Sequence, residues 1–289
     1  RFQTRYPGVT VRLVRGGTFD LVERIQSGIN AGTPQADVLH VLDPAIFVSL
    51  RQRGELSYYE PPAAAAIPPE YKDPGYWTAA RLVSVGIAYD SRKVSPANAP
   101  KSWSSLLSSR WNGKVGLKDA QTAGSAYAQY FFLREKYGVS YWEKMAALNP
   151  RIYKTEDELL NALKAGEIQV AAGIMGGKLA EEAKGGRFKA VWPEDGVPLV
   201  PGPVAILSRA PHLYAARLFV DYTLSKEGQG ALRDLLGAYS ARPDVPSPKG
   251  WPALNSLPLL RPENGWGEYL DKQGTLRAEY NRLFHGESE

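Results

Sequence analysis

Residues 114–138 read KVGLKDAQTAGSAYAQYFFLREKYG, and the change of period inside this stretch decides the fold class. Val115 and Leu117 alternate with Gly116 and Lys118, the period of a half-buried strand. Asp119, Gly124 and Ser125 break the alternation. From Ala126 onward Tyr130, Phe131, Leu133, Arg134 and Tyr137 fall at helical spacing, and Gly138 closes the helix. The segment is therefore strand, small-residue turn, helix. Thr122, Gly124 and Ser125 set two hydroxyls and bare backbone at the positive end of that helix, where an anion can be held. An ordinary capped helix start reads the same way.

The same unit recurs on either side. Val9, Val11 and Leu13 alternate with polar neighbours, predicting a strand that ends at Arg15-Gly16-Gly17-Thr18, with Thr18 as N-cap of a helix whose face is Leu21, Val22, Ile25 and Ile29. Residues 36–41, ADVLHV, predict a buried strand. Asp43 and Pro44 follow as N-cap and first helical residue of a helix that runs to Arg53 and stops at Gly54. After a Pro- and Ala-rich loop, residues 77–89 return to strand character. Thr155 and Glu158 form a capping box for a helix closed by Gly166. Residues 168–172 predict a strand, and GIMGG at 173–177 a glycine turn entering a helix at 178–184. Further strands are expected at 188–192 and at 204–208, the latter after the proline-punctuated VPLVPGP. Helices are expected at 212–224, at 226–236 with Ser225 as cap, and over 266–284. Strands alternating with helices predict an α/β protein with a mainly parallel sheet flanked by helices, whose ligands gather at the C-terminal ends of the strands.

Composition narrows the function. The chain has 289 residues, 44% hydrophobic and 22% charged, enough for two domains with sizeable cores. Lysine and arginine exceed aspartate and glutamate by 35 to 30, but the basic residues are scattered, which argues against nucleic acid as a partner. There is no cysteine, so disulfides, thiolate metal sites and a cysteine nucleophile are excluded. No apolar run is long enough to cross a membrane as a helix. The first residue is Arg1, not methionine, and a removed signal peptide is the expectation, with trimming an equal alternative.

Enzyme signatures are missing. There is no G-x-S-x-G and no H-E-x-x-H, and Gly176-Gly177-Lys178 fails as a phosphate loop, with Ala172 and Leu179 where glycine and Ser or Thr belong. His40, His212 and His285 share no ligand spacing, so no metal site and no cofactor are expected. Glu156, Asp157 and Glu158 read as first-turn residues that complement a helix dipole.

Several short motifs in order carry a resemblance: RGGT, ADVLHVLDP, IAYDSRKV, SWSSLL, KDAQTAGSAYAQY, KAGEIQVAAG, PGPVAILSRAP, LSKEGQG and GAYSARPDV. The chain resembles the extracellular solute-binding proteins of bacterial ABC importers, in the group that takes ferric iron, phosphonates, polyamines and other small solutes. The resemblance implies the type II periplasmic binding protein fold: two α/β domains joined by two crossing segments, with the ligand in the cleft. On this chain the domains would be 1–81 with 205–250, and 82–204 with 251–289, hinged near 83–90 and 200–207. It also implies a monomer, secreted to the periplasm or beyond, whose partners are a small solute, a permease and its ATPase.

Ferric members of the group bind iron through adjacent tyrosines after the strand that follows a Gly-Glu pair. Here that position is GIMGGKLAEEAKG, without tyrosine, and Tyr58-Tyr59 lies in another segment. Ferric iron, which wants several anionic oxygens, is the alternative and not the first choice. What remains is a cleft framed by small-residue turns, with Arg15, Gly17, Thr18, His40, Asp43 and Arg81 on one side and Gly124, Ser125, Ala126, Tyr127, Met175 and Gly176 on the other. Arg15 and Arg81 would suit a carboxylate, phosphate or phosphonate, or equally be surface or interdomain ion-pair residues. Asp43, His40 and Tyr127 would suit an ammonium or hydroxyl end, although Asp43 is also a helix cap and Tyr127 equally a packing residue. An enzyme on the same fold, or the ligand-sensing domain of a regulator, are the readings from other classes.

Overall fold

A computed structural model of the protein describes residues 1–286. Following the chain, α1 (Phe2–Arg5) and α2 (Thr18–Asn30) precede β1 (Val38–His40) and α3 (Pro44–Gln52). Short 3-10 turns lead through β2 (Lys72–Asp73) into β3 (Trp77–Asp90). β4 (Val115–Lys118) feeds α4 (Gly124–Tyr137) and α5 (Val139–Ala147); β5 (Arg151–Tyr153) feeds α6 (Glu156–Ala165); β6 (Val170–Met175) feeds α7 (Gly176–Ala183). Then come β7 (Phe188–Val191), β8 (Val197–Ile206), α8 (Leu213–Leu224), α9 (Lys226–Leu236), β9 (Leu259–Leu260), α10 (Gly265–Asp271) and α11 (Gln273–Phe284).

The chain divides into two compact units, Arg1–Leu82 with Pro201–Gly250, and Val83–Val200 with the chain from Trp251 onward. It passes between them along β3, along β8 and again after Gly250.

In the first unit β1 runs antiparallel to the second half of β8, His40 opposite Val204, and β2 runs antiparallel to the start of β3. Phe47, Leu50, Ile67, Trp77, Leu82 and Leu224 fill the core. Asp43 ends the strand segment and starts α3: its carboxylate accepts from the Ala45 N–H at 3.0 Å, and Pro44 stands at the first helical position, where no N–H is needed. α9 is capped by Ser225, whose Oγ accepts from the Gly228 N–H, and ends at Gly237 in the left-handed region. Gln229 on α9 is fully buried and satisfied, donating to the carbonyls of Ala80 and Thr223 and accepting from Ser240 and the Ala241 N–H.

In the second unit β4 is parallel to β5 and β6, while β6 and β7 both run antiparallel to β3, so the sheet is mixed. The α6 capping box is complete. Thr155 Oγ1 accepts from the Glu158 N–H at 3.2 Å and the Glu158 carboxylate accepts from the Thr155 N–H at 3.3 Å. Leu159, Leu163, Ile168, Ile174 and Leu179 pack between α6, α7 and the sheet. α4 is buried from Gly124 to Leu133 because α10 and α11 cover its other side. Tyr127 lies edge-on to Tyr269 with ring centroids 4.9 Å apart, and Glu279 accepts from Tyr130 at 2.7 Å and Arg134 at 2.9 Å.

Five expectations are corrected. Residues 9–14 form no strand: among the described residues none pairs with them as a ladder, and the Val11 N–H is bonded instead to the Gln3 side chain. Alternation makes a segment ready for a sheet, but a strand exists only where a neighbour takes its backbone groups. Leu13 and Val14 are accordingly 69% and 52% exposed. Gly17, not Thr18, is the N-cap of α2, and no side chain caps it. The glycine turn at 173–177 is absent, since β6 continues to Met175 and α7 begins at Gly176. β8 starts at Val197, seven residues before the expected strand, because the φ imposed by Pro198, Pro201 and Pro203 is compatible with an extended chain. The terminal helix is two helices, broken at Lys272.

Candidate functional site

The second unit gathers polar groups at the C-terminal ends of β4 and β6. Lys118, the last residue of β4, is buried, and its Nζ donates to Ser125 Oγ at 2.8 Å in the first turn of α4. The same Nζ stands 3.8 Å from Glu156 Oε1, which accepts from the Met175 N–H at 2.6 Å. One chain of contacts thus ties together the starts of α4 and α6 and the end of β6. At the start of α4 the Gly124 and Ser125 N–H groups precede the helical ladder, while Ala126 and Tyr127 already donate to the Ala123 carbonyl at 3.0 Å. Gly176 is there for space: a Cβ on it would lie 2.6 Å from Ser84 Oγ and from the Trp251 ring. Trp192 donates to Ser84 Oγ at 3.3 Å and stands 5.6 Å from Trp251, so aromatic rings flank the start of α7.

Of the residues singled out on this unit, Gly124, Ser125 and Ala126 open α4 and Met175 and Gly176 join β6 to α7. Tyr127 departs from them. It is wholly buried, with its hydroxyl on the Tyr269 carbonyl at 3.4 Å and its ring beside Phe131 and Tyr269, which makes it a core residue. Lys118 and Glu156 were not expected in the site. The signal for Lys118 was a lysine in an otherwise apolar strand directly before the small-residue turn. Glu156 does lie in a helix's first turn, but its carboxylate reaches across to Met175.

In the first unit His40 ends β1. Its Nδ1 lies 2.9 Å from the Pro203 carbonyl, and since a carbonyl only accepts, Nδ1 carries the proton. Burial and then the nearby Arg81 guanidinium push the ring down to about 3, against the raising effect of Pro203, so the imidazole is neutral. A Cβ on Gly202 would come within 3.1 Å of Arg81 and 3.2 Å of His40, placing these three residues together. Asp43 is fully buried as the α3 cap. Arg15 is exposed, Gly17 caps α2 and Thr18 is its half-buried first residue, so these three belong to a different part of the unit's chain from His40 and Arg81.

A family model described as bacterial extracellular solute-binding protein matches residues 34–254. The chain belongs to that family. It is 28% identical over 258 residues to a protein of Salmonella paratyphi A described as a candidate 2-aminoethylphosphonate-binding periplasmic protein, covering 84% of this chain and 72% of that one. It is 26% identical to a Sinorhizobium fredii protein described as a candidate ABC transporter periplasmic-binding protein, covering 83% and 67%. Among solved structures, the periplasmic binding protein AfuA from Actinobacillus pleuropneumoniae with bound fructose-6-phosphate matches with TM-score 0.86 at 23% identity over 98% of this chain and 92% of that one. Iron-bound HitA from Pseudomonas aeruginosa matches with TM-score 0.83 at 23% identity over 96% and 92%. These structures share the fold, that of the type II periplasmic binding proteins. The chain is a solute-binding protein of the kind that serves ABC transporters.

Proposed function

We propose that this solute-binding protein captures a small anionic solute, a phosphonate, phosphate ester or carboxylate, and delivers it to a permease and its ATPase. It works outside the cytoplasmic membrane as a monomer and carries out no chemical turnover. The observation that carries the anionic reading is the direction of one hydrogen bond. Ser125 Oγ accepts from Lys118, so its own O–H is left to donate, alongside the Gly124 and Ser125 N–H groups at the start of α4. A helix start that offers a hydroxyl hydrogen and two N–H groups, beside a buried ammonium held between Ser125 and Glu156, favours an anion.

Isothermal titration with inorganic phosphate and 2-aminoethylphosphonate tests this. The parent is expected to bind at least one of them, and Ser125→Asp, which places a carboxylate where the anion belongs, is expected to weaken that binding about 100-fold or more. Its melting midpoint should equal or exceed the parent's, because an aspartate in a helix's first turn beside Lys118 is stabilising. Unchanged affinity in Ser125→Asp would overturn the reading.

The ferric alternative has less support from the tyrosines. Tyr59 donates its hydroxyl to Asp221 at 2.8 Å, and Tyr58 packs over Gly75, whose Cβ would lie 2.2 Å from its ring. Ferric salts are expected to leave the melting midpoint unchanged and the protein colourless.

A further inference from the structure

His40 holds a lone pair that the protein itself does not use. With Nδ1–H committed to the Pro203 carbonyl, Nε2 of the neutral ring is an acceptor, and it is buried with no hydrogen-bond partner among the described residues. A buried acceptor without a donor is costly unless something else supplies one. The ring sits at the C-terminal end of β1, where ligands of α/β sheets gather, and beside it Gly202 is closely packed, since a Cβ there would meet Leu42 at 2.9 Å, Arg81 at 3.1 Å and His40 at 3.2 Å. Arg81 stands next to it and lowers its basicity, so positive charge already occupies the surroundings. A ligand ammonium donating to Nε2 would have to approach that guanidinium in a buried setting, where like charges repel strongly. A hydroxyl meets no such repulsion.

We propose that His40 is a specificity-determining residue that accepts a hydrogen bond from a neutral hydroxyl of the solute, making the solute a hydroxylated phosphonate or phosphate and not an aminoalkyl one. This rests on the reading above that the solute carries an oxyanion. Asp43, three residues on, is the acid that could have drawn an ammonium to the same place, but its carboxylate is fully buried and holds the start of α3.

Three probes of matched size separate the possibilities: 2-hydroxyethylphosphonate, 2-aminoethylphosphonate and propylphosphonate, titrated into the full chain by calorimetry. The hydroxyl probe is expected to bind about tenfold or more tightly than the propyl probe, the worth of one well-placed buried hydrogen bond. The amino probe is expected to bind no more tightly than the propyl one. In His40→Phe the advantage of the hydroxyl probe should vanish while propylphosphonate keeps its affinity, and in His40→Gln, which retains an acceptor, part of the advantage should persist. Melting curves of both variants confirm folding, and if the Phe variant does not fold, the Gln variant and the probe ranking on the parent still decide. A ranking led by the amino probe, or a hydroxyl advantage that survives in His40→Phe, overturns the proposal. Equal binding of all three overturns it and leaves the anionic reading intact, whereas no binding of any overturns both.

Discussion

His40 makes a prediction at the scale of one residue. Its folded-state pKa, about 3, lies below the unfolded value of about 6.5, so the native state resists a proton that the unfolded chain accepts. The sign follows: the contribution is complete above about pH 6.5 and is lost as pH falls toward 3. The loss runs at about 1.4 kcal/mol per pH unit, or ~2 kcal/mol between pH 6.5 and 5. Arg81 keeps its charge throughout and does not blunt the effect. Urea unfolding at pH 7 and pH 5 should therefore show a steeper decline for the parent than for His40→Gln, by about that amount; equal declines would place the ring in contact with solvent. Residue by residue, the sequence is most readable where one side chain has one local task. Asp43 as a cap needed only its neighbour Pro44 to be recognised. Lys118 could not be placed in the site from sequence, because its partners Ser125 and Glu156 are set by helix starts that only the folded sheet brings together. Tyr127 stayed open between ligand contact and packing for the converse reason: its position in a turn-proximal first helical stretch says nothing of Tyr269, which arrives from far along the chain to bury it.

Among the elements, β6 carries an irregularity that fixes the site. Opposite β3 the register shifts: Gly86 faces Ile174 and Ile87 faces Ala172, so Gly173 is an extra residue, a bulge, with φ of +95°. A Cβ there would stand 2.1 Å from Gln129 Oε1 on buried α4. Gly173→Ala should cost ~2–4 kcal/mol through backbone strain plus the clash, and should weaken ligand binding by displacing Met175 and the start of α7. Gly185→Ala, which meets nothing within 4 Å, is the matched control and should be close to neutral. Equal melting midpoints for the two variants would show that the bulge is not needed. The same comparison explains which elements can be read in advance. α6 with its Thr155–Glu158 box, and α9 between Ser225 and Gly237, announce both ends in local chemistry. The bulge does not, since GIMGG looks like a turn until its partner strand is known. Residues 9–14 fail in the opposite way, having the pattern of a strand without a paired neighbour among the described residues. β8 hides behind prolines that sequence reading associates with loops, yet Pro203 supplies the carbonyl that orients His40.

For the whole molecule, the path of the chain is the informative feature. It leaves the first unit within β3, returns within β8 and leaves again after Gly250, so each unit is assembled from separated stretches and neither is a single run of sequence. The α/β class was visible from the alternation of periods, but nothing local at Leu82 or Val200 marks a boundary, because both lie inside strands. Strands that continue from one unit into the next allow rotation about a few backbone dihedrals while leaving each core packed, which is the hinge mode of ligand closure. If the solute favours one such rotation over the others, its binding energy shifts the population toward it. Saturation with a bound phosphonate should then reduce the radius of gyration measured by small-angle scattering of the full chain. It should also raise the melting midpoint, since ligand at about a hundred times its dissociation constant adds ~2.7 kcal/mol to the folded state. Ser125→Asp, which blocks the anion on one unit while leaving the other intact, should show neither change at the same concentration. A radius that stays constant while the midpoint rises would mean that binding proceeds without that rotation, and the assignment of the contacting residues would then fall to whichever of Ser125 and His40 still alters affinity when replaced.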